Sequence, residues 1–176
     1  MTSQKLPTVL VIDDEPELLE ILVEEMEYLG FKTLRANNAI EALAYFTEAS
    51  LQEVAIHAVL SDINMPQMTG LEMLDKMNHM GLEVPVVFIS GYGDKEKAVQ
   101  AMRLGAMDML DKPFNRDLLE SAMKKASAFG LAMENIESEI DDIISKSPAS
   151  DVDTQTLRKT IKELLKMKKM RASYFK

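Results

Sequence analysis

Short apolar runs alternate with amphipathic stretches through the first two-thirds of the chain. Three of these runs are almost continuous in Val, Leu and Ile, as expected for strands that are buried on both faces. With two weaker runs, they predict strands over 8–12, 31–35, 57–61, 85–89 and 107–110. Between the runs, apolar residues recur at helical spacing, which predicts helices over 17–29, 39–50, 71–80, 95–104 and from 116 onward.

Glycine and proline positions agree with these elements. Gly30, Gly81 and Gly105 each follow a predicted helix, where a left-handed C-cap is favoured, and Pro16 suits a first helical turn. Strand–helix units that repeat about every 25 residues predict an α/β fold with a five-stranded, doubly wound parallel sheet. For five strands we expect the flavodoxin-like order 2-1-3-4-5, with strands 1, 3 and 4 meeting at the switch point.

A different pattern follows residue 114. Apolar residues recur there at alternating spacings of three and four, as in a heptad seam: Leu119, Ala122, Ala126, Phe129, Met133, Ile136, Ile140 and Ile143. One interpretation is a single long helix. The other is a fifth sheet-packing helix that breaks at Gly130, a weak helix former, before a separate helix begins near Leu131.

The remaining C-terminal residues suggest a linker and one more helix. Residues 145–151 are typical of a linker, and residues 154–171 predict a basic amphipathic helix. We interpret its basic side as a solvated face that complements an acidic body, with phosphate or membrane-surface binding as the alternative. Two domains are therefore expected: residues 1–128 as the α/β domain, and residues 129–176 as a helical extension for dimerisation or partner docking.

Composition narrows the class of protein. The chain has 176 residues, enough for one domain and an appendage, and no cysteine for a disulfide framework or a thiolate zinc site. It has neither a signal peptide nor an apolar stretch of the roughly 18 residues that a membrane span needs, so we expect a soluble, cytoplasmic protein. Residues 1–114 carry 8 Lys and Arg against 19 Asp and Glu, and this net charge of −11 disfavours nucleic-acid binding.

Charged residues stand at the ends of three predicted strands. Asp13 and Asp14 end the first, Asp62 ends the third, and Lys112 follows the fifth. Because open α/β sheets place their ligands at the carboxyl ends of the strands, these side chains are expected to form one charged pocket. Carboxylates with a lysine and no cysteine favour a hard cation, so Mg²⁺ is the expected ion.

In order and spacing, these residues resemble the receiver domain of two-component response regulators, the chemotaxis-type phosphoacceptor module. The resemblance covers about residues 7–128 and rests on four segments in the right order: 11–15, 61–66 with Gly70, 89–93 and 105–114. Each segment alone is a weak signal. Together, and each at a predicted strand end, they are a strong one.

The resemblance implies that Asp62 is the phosphoacceptor, whose carboxylate attacks phosphorus to form an aspartyl phosphate. It also implies that Asp13, Asp14 and Asp62 hold Mg²⁺ together with the Asn64 backbone carbonyl. Three crowded carboxylates repel one another, so a cation is needed for electrostatic reasons as well. Taken alone, Asp14 would be interpreted as a helix N-cap.

By the same resemblance, Lys112 and Ser90 contact phosphoryl oxygens, and the Lys112–Pro113 bond is cis. Ser90 alone would be interpreted as a turn residue and Lys112 as a surface lysine. The implied partner is a sensor histidine kinase. A receiver catalyses only its own phosphorylation and dephosphorylation, so the chain is not expected to be an enzyme in the usual sense. His57 and His79 lack metal-ligand spacing and are expected to be structural or exposed.

Two departures from the family pattern bear on output. Met109 stands where receivers usually have the aromatic residue that reports phosphorylation, and methionine lacks both ring and hydroxyl. The residues after 128 are too few for a winged helix or a nucleotide cyclase. We therefore expect signalling through protein contacts with an unknown target or a homodimer, without specific DNA binding.

Two alternatives have other functions. A haloacid-dehalogenase-type Mg-dependent phosphatase uses a similar pocket, but it needs a second aspartate two residues after the nucleophile. That position is Asn64, whose carboxamide cannot act as the acid. A degenerate receiver that serves only as a scaffold is the other alternative, and the complete Asp and Lys set argues against it.

Overall fold

The computed structural model describes residues 6–51, 54–91, 95–146 and 160. Its five strands are β1 Thr8–Ile12, β2 Lys32–Ala36, β3 Ala58–Asp62, β4 Val86–Gly91 and β5 Asp108–Lys112. Its helices are α1 Pro16–Tyr28, α2 Ala39–Leu51, α3 Gly70–His79, α4 Lys95–Arg103 and α5 Arg116–Lys146. Strands two to five each begin one residue later than predicted, a difference within the usual uncertainty of element boundaries.

The strands form one parallel sheet in the order β2-β1-β3-β4-β5, which confirms the predicted topology. Ile12 pairs with Ser61, Asp62 with Ile89, and Gly91 with Lys112. The carboxyl ends of β1, β3, β4 and β5 therefore meet along one edge of the sheet. Gly30, Gly81 and Gly105 have positive φ after α1, α3 and α4, as predicted for C-caps.

Side chains that alternate along the strands form two separate cores. On β1, Leu10 and Ile12 face one core, and Val9 and Val11 face the other. Helices α2, α3 and α4 cover the first face of the sheet, and α1 and α5 cover the second. Burial on both faces explains why these strands are continuous in apolar residues rather than alternating with polar ones.

Helix α5 runs unbroken through Gly130, so the single-helix interpretation is confirmed. The glycine has a steric reason, because a Cβ at this position would lie 1.9 Å from the carbonyl oxygen of His57. His57 is buried, its Nδ1 accepts a hydrogen bond of 2.8 Å from the Thr8 N–H, and its Nε2 lies 3.0 Å from Oε2 of Glu134. His57 is therefore a structural histidine, as predicted, and His79 is exposed.

The chain divides into two compact units, residues 1–134 and 135–176, and the functional boundary at residue 128 remains a prediction. The predicted linker begins too early, because Ser145 and Lys146 still belong to α5. The rest of that linker and the basic helix lie outside the described residues, apart from Thr160. Within the described ranges, no helix is both long and apolar enough to cross a membrane.

Candidate functional site

Asp62 is the last residue of β3 and is almost completely buried. Its Oδ1 lies 2.6 Å from the Lys112 ammonium at the end of β5, and its Oδ2 accepts a hydrogen bond of 2.5 Å from the backbone N–H of Asn64. Both carboxylate oxygens are thus held in fixed directions by two different elements. The sheet brings Asp62 and Lys112 together as the strand-end pattern predicts.

Asp13 follows β1 and is also buried. Its Oδ1 accepts a hydrogen bond of 2.9 Å from the Glu15 N–H, whereas its buried Oδ2 has no hydrogen-bond partner. The Lys112 ammonium lies 3.5 Å from Oδ2, which places it in an ion pair but at the long limit for a hydrogen bond. Burial, together with the nearby Asp62 and Asp14 charges, raises the pKa of Asp13 despite the favourable Glu15 and Lys112 contacts.

Lys112 is the positive charge of this site. Burial alone would lower the pKa of its ammonium, but the hydrogen bond and charge of Asp62, followed by the charge of Asp13, raise the pKa above its ordinary value. Lys112 therefore stays protonated at neutral pH and can serve as a point charge for an anionic group. The Lys112–Pro113 peptide bond is cis, as the resemblance implies.

The other predicted site residues lie nearby, with less defined contacts. Asp14 is partly exposed beside Asp13, and its interpretation as an N-cap is wrong, since Glu15 occupies the N-cap of α1. Ser90 is buried near the end of β4, where its hydroxyl donates a long hydrogen bond of 3.4 Å to the Gly91 carbonyl. Met109 lies on β5 and packs against the core on the α2-α3-α4 face. The functional roles of these residues remain predictions.

The charged residues have the chemistry of a hard-cation site, although they are not arranged as a complete one. Among the residues that the structure describes, no three acidic or histidine side chains converge as metal ligands. Lys112 contacts both Asp13 and Asp62 and supplies the counter-charge. The donor set nevertheless fits Mg²⁺, because Asp13 presents a buried carboxylate oxygen without a hydrogen-bond partner beside the Asp62 carboxylate.

The loop after Asp62 is shaped by a close backbone contact. Gly70, the first residue of α3, donates a hydrogen bond of 2.9 Å to the Ile63 carbonyl. A Cβ on Gly70 would lie 2.5 Å from the Asp62 carbonyl oxygen and 2.8 Å from the Phe88 ring. The sequence marks Gly70 as part of a motif, but this steric reason is visible only in the structure.

Sequence reasoning missed one side chain at this edge. Lys97 of α4 donates a hydrogen bond of 2.5 Å to the side-chain oxygen of Asn64. An amphipathic pattern shows which face of α4 is apolar, but it does not show which polar side chain reaches a neighbouring loop. No sequence signal distinguishes Lys97 from Lys95, which is exposed on the same helix.

Comparison with known proteins agrees with this geometry. Residues 9–124 match the family model described as the response regulator receiver domain. The chain is 37% identical over 128 residues to the C4-dicarboxylate transport transcriptional regulatory protein DctD of Pseudomonas aeruginosa, covering 72% of this chain and 27% of DctD. It is 30% identical over 135 residues to the transcriptional regulatory protein FixJ of Rhizobium meliloti, covering 77% of this chain and 62% of FixJ.

Solved structures show the same fold. A response regulator receiver domain protein from Clostridium thermocellum aligns with a TM-score of 0.66 at 30% identity, over 73% of this chain and 99% of that one. A crystal structure of FixJ-N aligns with a TM-score of 0.63 at 30% identity, over 70% of this chain and 95% of that one. This chain spans only about a quarter of DctD and less than two thirds of FixJ, so the similarity concerns only part of each regulator. The chain belongs to the response regulator receiver family.

Proposed function

We infer that this chain is a cytoplasmic response regulator that receives a phosphoryl group on Asp62 from a sensor histidine kinase. The observation that supports this inference is the buried Asp62 carboxylate, held by Lys112 at the carboxyl edge of the sheet beside Asp13. In the transfer, an Asp62 oxygen attacks phosphorus, the bond between phosphorus and the donor imidazole breaks, and the imidazole keeps the electron pair. The chain then acts on no substrate other than its own aspartyl phosphate.

Phosphoryl transfer depends mainly on positioning and on neutralising the charge of the equatorial oxygens. Lys112 supplies one positive charge at the attacked position, and Ser90 is the proposed hydrogen-bond donor to a phosphoryl oxygen. Mg²⁺ would supply further charge neutralisation when held by Asp13, Asp14, Asp62 and the Asn64 backbone carbonyl. Asn64 cannot act as a general acid, which argues against the phosphatase alternative.

For the output, we propose protein–protein contacts through the helical extension rather than DNA binding. DctD and FixJ are named as transcriptional regulatory proteins, but the similarity covers only part of each. In this chain, the net charge of −11 over residues 1–114 opposes a polyanionic partner. The heptad seam of α5 offers an apolar surface instead: Phe129, Met133, Ile136 and Ile140 are all partly exposed.

Phosphotransfer from a small donor tests the proposal directly. Full-length protein incubated with acetyl phosphate and Mg²⁺ should take up one phosphoryl group per chain, measured by intact-protein mass spectrometry. The label should map to Asp62 and be released by hydroxylamine, as expected of an acyl phosphate. Absence of any label from acetyl phosphate and from a panel of purified histidine kinases would refute the proposal.

Mg²⁺ is expected to raise the thermal unfolding temperature of the wild-type protein, because an ion that binds only the folded state stabilises it by mass action. At about ten times the dissociation constant, the gain is about 1.4 kcal/mol. Asp13→Asn should eliminate this gain, as measured by differential scanning calorimetry over a series of MgCl₂ concentrations with ionic strength held constant. A rise of equal size in Asp13→Asn would contradict the assignment of Asp13 as a ligand.

Without Mg²⁺, Asp13→Asn should be more stable than the wild type at neutral pH. The pKa of Asp13 is raised in the folded state, so the folded protein loses stability as pH rises from the ordinary aspartate pKa through this raised pKa, and the loss persists at pH 7. Asparagine does not ionise, so the variant does not suffer this loss. The unfolding free energy measured in urea should therefore favour the variant at pH 7, and the difference should shrink on acidification.

The full-length protein is expected to be a dimer or larger species in solution, because soluble proteins avoid exposing a long apolar stripe. Replacing both Ile136 and Ile140 by aspartate should give monomers, as measured by multi-angle light scattering. Ser138→Asp is the matched control, since Ser138 is exposed on the same helix and lies outside the seam. A monomeric wild type, or a double variant that stays dimeric, would count against the seam as an interface.

A further inference from the structure

Lys97 connects α4 to the loop that follows the phosphoacceptor. Its ammonium lies 2.5 Å from the side-chain oxygen of Asn64, while the backbone N–H of Asn64 holds Oδ2 of Asp62. Lys97 is partly buried, whereas its neighbours Lys95 and Glu96 are exposed. Holding a lysine side chain on one carboxamide costs side-chain entropy, which this hydrogen bond must offset.

The direction of this hydrogen bond has a chemical consequence. An ammonium can only donate, so the group of Asn64 that faces Lys97 must be the carbonyl oxygen. That oxygen is the hydrogen-bond acceptor of the Asn64 side chain. It is also the atom that would orient an attacking water, in the way that a carboxamide positions the water in other phosphoryl-transfer sites.

We propose that Lys97 is a positioning residue that prolongs the lifetime of the aspartyl phosphate. It does so by holding the side-chain carbonyl oxygen of Asn64 in a hydrogen bond, so that this oxygen does not orient an attacking water. This proposal rests on the proposed function of Asp62. In hydrolysis, a water oxygen attacks phosphorus, the bond between phosphorus and the Asp62 oxygen breaks, and the products are inorganic phosphate and the Asp62 carboxylate. The proton lost by the water passes to solvent.

The position of Asn64 fits this role. Asp62 and Asp13 are buried, and Lys112 is mostly enclosed, so these groups form the inner wall of the site. Asn64, in the loop that follows Asp62, is exposed to solvent. Without Lys97, its side chain is released and its carbonyl oxygen becomes available to a water on the solvent side of the phosphoryl group.

The test compares rates of loss of label in full-length proteins. Wild type, Lys97→Met, Lys97→Arg and the control Lys95→Met are labelled with acetyl phosphate and Mg²⁺, freed of donor by rapid desalting, and followed by intact-protein mass spectrometry. Lys97→Met should shorten the half-life by about fivefold, as expected for the loss of one hydrogen bond. Lys97→Arg keeps a donor and should restore most of the lifetime, and Lys95→Met removes the same charge without the contact and should match the wild type.

A double variant separates positioning from a direct effect of charge. If Lys97 acts through Asn64, Lys97→Met should change the half-life by less than about twofold in an Asn64→Ala background, because coupled residues are non-additive. A full fivefold effect in that background would show that Lys97 acts directly on the phosphoryl group and would overturn the proposal. So would an unchanged or longer half-life in Lys97→Met alone.

The outcomes also distinguish a failure of the proposed role of Lys97 from a failure of the phosphoacceptor function of Asp62. If the wild type takes up label but the Lys97 variants lose it at the wild-type rate, the positioning role fails and the phosphoacceptor function stands. If no protein of the set takes up label, the phosphoacceptor function fails, and the role of Lys97 fails with it.

Discussion

Replacing Asp62 by asparagine is expected to abolish labelling by acetyl phosphate. The carboxamide of asparagine is uncharged, and its attack on phosphorus would leave a cationic product, so it is a poor nucleophile, whereas the Asp62 side chain places a carboxylate oxygen beside the Lys112 ammonium. The structural disturbance should be small, since asparagine has nearly the same volume and keeps one carbonyl oxygen that can accept from Lys112 or from the Asn64 N–H. The measurement is the fraction of labelled protein by intact-protein mass spectrometry.

Asp111→Asn is the matched control, because Asp111 is an exposed aspartate on β5 next to Lys112 and loses the same charge. This control should label like the wild type. Thermal unfolding of both variants will show whether each is folded. Label that persists in Asp62→Asn at the wild-type level would identify a different acceptor and refute the site assignment.

The strand-end residues of the site could be predicted because their placement depends only on the strands and on the direction of those strands in the sheet. Continuous apolar runs indicate buried parallel strands, and parallel strands place their carboxyl ends at one edge. Asp62 and Lys112 are 50 positions apart in the chain, yet β4 is the only strand between them in the sheet. Their proximity at one edge follows from the topology, whereas the contact of 2.6 Å between their side chains is visible only in the structure.

Contacts that depend on side-chain direction or on close backbone approach could not be predicted. Nothing in the spacing of α4 indicates that Lys97 reaches Asn64. The sequence leaves the continuity of α5 open for a related reason. Helix propensity alone makes Gly130 a candidate break, and tertiary contact with His57 overrides that propensity.

The two edges of the sheet have different roles in this chain. The carboxyl edge holds the charged residues Asp13, Asp62 and Lys112. The amino edge is where His57, next to the start of β3, contacts both Thr8 of β1 and Glu134 of α5. Thr8 donates to Nδ1, so Nδ1 carries no proton and Nε2 carries the one that is donated to Glu134. The middle of α5 is therefore anchored by the hydrogen bond between His57 and Glu134, and Gly130 allows the helix backbone to approach His57 closely.

Gly130→Ala is expected to destabilise the protein, although helix propensity alone predicts the opposite sign. Alanine is favoured over glycine inside a helix by about 1 kcal/mol. The added Cβ, however, would lie 1.9 Å from the His57 carbonyl oxygen, 2.6 Å from its carbonyl carbon and 2.8 Å from its Cα. These are backbone atoms next to β3, so no side chain can rotate away, and α5 must shift or separate from the sheet.

The expected loss is about 3 kcal/mol or more, at the upper end of the range for overpacking. For a chain of this size, that corresponds to a fall of roughly 6–12 °C in the thermal unfolding temperature. Gly91→Ala, on β4, is the control for adding a Cβ where space is open, because a Cβ on Gly91 meets no atom within 4 Å. An unfolding temperature of Gly130→Ala equal to or above that of the wild type would show that α5 does not pack against His57 in solution. A large fall for Gly130→Ala with little change for Gly91→Ala would show that the close contact at His57 excludes a side chain at residue 130.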